Sequence, residues 1–67
     1  MVVDDPAEAA RLVAAGQAVV LIVAEGVMLR GGWPAGPGRM AVMVGDAGDP
    51  AVREAAEAMA AELFGRG

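Results

Sequence analysis

A chain of 67 residues with 57% apolar side chains and a formal charge of −4 is sized for one small domain, residues 1–67, with a single core. It contains no cysteine and no histidine, which excludes disulfides and zinc sites of the thiolate or imidazole kind. Serine, threonine, tyrosine, lysine and asparagine are absent too, so hydroxyl, thiol and amine nucleophiles and the imidazole base are all missing.

Only carboxylates remain for proton transfer, and the expectation is a protein that is not an enzyme and takes no cofactor. Five arginines are scattered along the chain and outnumbered by nine carboxylates. Nucleic acid is not an expected partner, because phosphate tracking requires a basic stripe. A membrane is not expected either. The longest uninterrupted apolar run, Ala18 to Ala24, is seven residues, against roughly 18 to 20 needed to span a bilayer. The start Met1-Val2-Val3-Asp4-Asp5 lacks the basic residues of a signal peptide, and cytoplasmic residence is expected.

In chain order, Asp5-Pro6-Ala7-Glu8 reads as a helix start. Asp5 supplies an N-cap acceptor, Pro6 suits the first helical position, and Glu8 completes a capping-box-like pair. Ala9, Leu12 and Val13 give a narrow apolar face, and Gly16 stops a helix spanning about residues 6–15. Ala18-Val19-Val20-Leu21-Ile22-Val23-Ala24 is rich in β-branched residues and too short for a good helix, so it reads as a strand. It does not alternate apolar with polar, and both of its faces want cover. Glu25-Gly26 then offers a tight turn into a short returning strand, Val27-Met28-Leu29-Arg30.

Four glycines and two prolines between Gly31 and Gly38 predict a loop. Arg39 to Val44 resumes strand character, with Met40, Val42 and Val44 on one face and Ala41 and Met43 on the other. Met43 is expected to point away from the helices. Asp49 and Pro50 start the last helix after the Gly45–Asp49 turn. Val52, Ala55, Ala56, Met59, Ala60, Leu63 and Phe64 form its apolar face, and Arg53, Glu54, Glu57 and Glu62 lie opposite.

This order predicts a small two-layer α+β domain, helix-strand-strand-strand-helix. Its three-stranded, mainly antiparallel sheet carries both helices on one face, and Met1 to Val3 offers a fourth strand. The competing arrangement makes Ala18–Ala24 and Met40–Val44 parallel neighbours. The absence of a crossover helix between Gly31 and Gly38 favours the antiparallel version. The same element order occurs in double-stranded RNA-binding domains, but the acidic last helix argues against that role.

Among candidate sites, Asp4, Asp5, Asp46 and Asp49 form the one set with oxygen ligands for a hard cation. Asp5 and Asp49 are already accounted for as helix caps, and no metal site is expected. Trp33, the single tryptophan, lies in the glycine and proline loop and is the leading contact residue. The expected partner-binding set is Trp33, Gly31, Gly32, Pro34 and Met43.

With both helices on one face, the strand presenting Val19, Leu21 and Val23 to one side and Val20 and Ile22 to the other has one side left over. Leaving such side chains exposed forfeits roughly 1.5 to 3 kcal/mol each. A homodimer is therefore expected. Functionally, the chain reads as a non-enzymatic, self-associating protein-interaction or regulatory module. One alternative is a small-ligand or carboxylate-metal binding domain using Asp46, Asp49 and an arginine such as Arg39. The other is an acidic, antitoxin-like inhibitor masking a basic partner through Glu54, Glu57 and Glu62.

Overall fold

The computed structural model of the chain describes residues 1–26 and 33–65. Local grammar determines where its elements begin. Asp5 and Asp49, both in extended backbone conformation, each precede a proline at the first helical position. The Ala7 N–H donates to Asp5 Oδ1 at 3.0 Å and the Ala51 N–H to Asp49 Oδ1 at 2.9 Å. These caps open α1 (Pro6–Ala14) and α2 (Pro50–Phe64). Asp5→Ala and Asp49→Ala should each lower stability by about 1 kcal/mol, seen as a lower urea midpoint with an unchanged slope.

The strands are β1 (Val2–Val3), β2 (Ala18–Val23) and β3 (Arg39–Val44), in spatial order β1-β2-β3. Both pairings are parallel: Val2 lies opposite Val20, and Ala18 to Val23 lie opposite Arg39 to Val44. The sheet is thus entirely parallel, which corrects the expectation of mainly antiparallel pairing. Met1 to Val3 does contribute a strand, as the outer neighbour of β2. The expected returning strand at residues 27–30 lies outside the described residues.

The second correction concerns the layers. Val19, Leu21 and Val23 pack with Val3 against Ala9 and Val13 of α1. Val20 and Ile22 pack against Ala56 of α2, with Val52, Met59, Ala60 and Phe64 around them. Successive residues of a strand point to opposite faces, so the two helices sit on opposite faces of the sheet. Val19, Val20 and Leu21 are completely buried, and Ile22 and Val23 nearly so. The chain's own helices shelter both sides of β2, and the surplus that argued for a partner copy over that strand does not exist.

Cover is uneven across the sheet. α2 lies chiefly over β2 and β1, and α1 lies mainly over β2. No residue of β3 is fully buried, and Val44 at its end is 64% exposed. The molecule measures 30 × 29 × 13 Å along its principal axes. Three strands at their usual spacing span roughly 10 Å, whereas helices stacked on both faces of a sheet span roughly 20 Å. The short axis therefore runs across the strands, and the two broad faces of the slab are the edges of the sheet. No helix among the described residues is long and apolar enough to cross a membrane.

Candidate functional site

Parallel strands bring their carboxyl ends to one side of the molecule, the usual place for a ligand crevice in sheets of this kind. Here that side holds a cleft of ≈ 340 Å³ lined by Asp4, Pro6, Ala24, Gly45, Asp46 and Ala47. Of its two carboxylates, that of Asp46 is committed to its own backbone, as are those of the neighbouring Asp5 and Asp49. Asp46 Oδ1 accepts from the Gly48 N–H at 2.9 Å, and Asp5 and Asp49 cap α1 and α2. The Asp49 N–H donates to the Asp46 carbonyl at 2.9 Å, which tightens the same turn. Among the described residues no group of three or more acidic side chains converges as metal ligands do.

The small-ligand alternative takes Asp46, Asp49 and an arginine such as Arg39. Arg39 opens β3 and Asp46 follows its end, so the length of the strand, roughly 20 Å, separates them. Arg39 is therefore not brought to that turn, whereas Arg53 donates from Nη1 to the Ala47 carbonyl within it at 3.4 Å. Glu54, Glu57 and Glu62 are exposed along α2, as the sequence suggests.

The opposite end and the outer side of β3 are different in character. The Arg39 N–H donates to the Gln17 carbonyl at 3.1 Å and the Gly45 N–H to the Val23 carbonyl at 2.8 Å. In a parallel ladder the backbone groups of alternate residues point to alternate sides. The odd-numbered residues of β3 thus face β2, and Met40, Val42 and Val44 turn their N–H and C=O groups outward. Among the described residues no strand pairs with that edge. The strand lacks the lysines, prolines and bulges with which edges are commonly blunted; Arg39 at its start is its one charge.

A cleft of ≈ 500 Å³ opens beside this edge, lined by Trp33, Pro34, Arg39, Met40, Ala41, Leu63 and Phe64 among others. Met40 and Ala41 point to opposite faces of the sheet, so a cleft that touches both opens onto the backbone edge between them. Trp33 is 58% exposed and Leu63 is 54% exposed. The Arg39 guanidinium lies 5.6 Å from the centre of the Phe64 ring, a cation–π contact that ties the start of β3 to the end of α2.

Of the residues expected to bind a partner, Trp33 and Pro34 line this cleft. Gly31 and Gly32 lie outside the described residues. Met43 does not point away from the helices; it is half-buried in the cluster beneath α2, because the face that seemed uncovered carries that helix. Arg39, Met40, Leu63 and Phe64 were not singled out as contacts. One signal was present: Leu63 and Phe64 are adjacent, about 100° apart on a helix, and cannot both point into the sheet. Phe64 packs inward and Leu63 stays out. Comparison of the chain with protein-family models, with curated proteins and with solved structures finds no match.

Proposed function

We propose that the chain is a non-enzymatic protein-interaction module that associates with itself, and that its docking surface is the outer edge of β3 together with the Trp33 cleft. The supporting observation is the coincidence of an unblunted strand edge, unpaired among the described residues, with the exposed apolar groups Trp33, Leu63 and Val44. Addition of a strand to such an edge uses main-chain hydrogen bonds for affinity and flanking side-chain contacts for selectivity.

The single tryptophan makes the test direct. Light scattering should report association as protein concentration rises through the micromolar range, with a parallel blue shift of Trp33 emission as the indole leaves water. Trp33→Ala should weaken association by about tenfold or more, as removal of an aromatic anchor typically does. A chain that stays monomeric throughout would refute the reading. Association unchanged by Trp33→Ala would remove the cleft from it.

A further inference from the structure

We infer that the occupant of the β3 edge is β3 of a second copy, paired antiparallel about a two-fold axis at Val42, so that two three-stranded sheets join into one. This rests on the self-association reading above and adds the partner strand, its direction and its alignment.

The direction follows from charge. β3 begins with Arg39, and beyond its end the chain passes through Gly45 to Asp46. Antiparallel pairing brings the basic start of each strand to the acidic end of the other. Parallel pairing of two copies would set Arg39 beside the partner's Arg39, and like charges opposite one another disfavour pairing.

The alignment follows from the backbone. In an antiparallel ladder, residues that point their N–H and C=O groups at the partner must oppose residues that do the same. On β3 these are Met40, Val42 and Val44, as the inward bonds of Arg39 and Gly45 establish. Setting Val42 against the partner's Val42 and Met40 against the partner's Val44 pairs every one of those groups. A slip of one residue sets outward groups against inward ones, and a slip of two leaves one end unpaired.

Side chains agree with this alignment. Met40 and Val42 pack towards the α1 side, and Val44 shares that face by alternation. In the joined sheet they form one apolar row, and Val44, 64% exposed in the single chain, is covered by the partner's Met40. Arg39 then lies across from the partner's Gly45, which has no side chain to obstruct the guanidinium on its way to the partner's Asp46.

The chain has no cysteine of its own, so engineered thiols give an unambiguous test. Directly opposed, hydrogen-bonded residues of an antiparallel pair have Cα atoms about 5.5 Å apart, within disulfide range. Val42→Cys in the full chain should therefore form a disulfide-linked dimer under mild oxidation. Ala41→Cys, displaced by two residues from its own copy, should do so far less readily. Should Val42→Cys disturb folding, the double variant Met40→Cys/Val44→Cys joins the same pairing by its opposed positions. Val44→Lys alters an already exposed residue and lowers the net negative charge. It should keep the circular dichroism of the parent while weakening dimerisation by about tenfold or more in light scattering.

Dimers that resist cross-linking through both the Val42 and the Met40/Val44 thiols, or that cross-link equally well through Ala41→Cys, would overturn the alignment and leave the self-association reading standing. Dimerisation unmoved by Val44→Lys would do the same. A parent chain that remains monomeric would overturn both.

Discussion

Replacing Leu21 by alanine and replacing Ile22 by alanine should each lower the stability of the isolated chain by about 3 kcal/mol, although the two side chains point in opposite directions. Leu21 is completely buried with Ala9 and Val13 on the α1 side, and Ile22 is 2% exposed with Ala56 on the α2 side. A domain of this length rarely has more than about 3 to 5 kcal/mol in hand. Each variant should therefore be largely unfolded at 37 °C or in low urea. Val44→Ala, at a position 64% exposed, should change stability by no more than about 0.5 kcal/mol. Urea titrations followed by circular dichroism, at concentrations too low for association, make the comparison. With both helices on one face, one of the two core substitutions would empty a solvent-facing site and do little. Equal, large losses mark a sheet sheltered from both sides within one chain.

The equality matters because the layering was where sequence reasoning went astray. Helix starts were legible to the residue: Asp5-Pro6 and Asp49-Pro50 are local signals, and both helices begin at the proline. α1 ends one residue before the expected stop, with Ala15 as its C-cap and Gly16 following at φ 88°. The strand at Arg39–Val44 coincides with β3, and Ala18–Ala24 overran β2 by one residue. Pairing direction is not local, and the lack of an obvious crossover helix is a poor guide to it. A parallel neighbour needs a return path of a dozen or more residues, commonly but not necessarily helical.

Residues 24–38, fifteen in all, are long enough to supply that path. They can reach about 50 Å when extended, more than twice the length of β2. A hairpin headed by Glu25-Gly26 would use up that length. The pair does form a turn, with Gly26 at φ 85°, yet β2 and β3 still run the same way. The better signal was the unbroken run Val19 to Val23, which is how a strand covered on both faces reads. Trp33 could be picked out by composition. The β3 edge could not, because edge position depends on strand order, and its outward residues follow from hydrogen bonds that only the fold reveals.

The same crossover carries the other large effect expected. Gly38→Ala should cost about 3 kcal/mol. Gly38 ends the path from β2 to β3 against the end of α1. Its N–H donates to the Val13 carbonyl at 2.9 Å, and the next residue, Arg39, donates to the Gln17 carbonyl at 3.1 Å. A Cβ at Gly38 would collide with the Gln17 carbonyl oxygen and come within 2.8 Å of the Val13 oxygen and 2.9 Å of the Val13 Cα. All three are backbone atoms, so no side-chain rotation relieves the clash. The chain must lift off α1, and Arg39 loses the bond that sets the alignment of β3 on β2. Gly26→Ala is the proper comparison, since Gly26 has a left-handed conformation that alanine dislikes, which Gly38 does not, yet a Cβ there meets nothing within 4 Å among the described residues. Its cost should stay near 1 kcal/mol. A threefold difference in lost stability between the two alanines, measured in the same urea series, would tie the parallel placement of β3 to its seat on α1. Equal, small losses would mean that β3 is held by the β2 ladder alone.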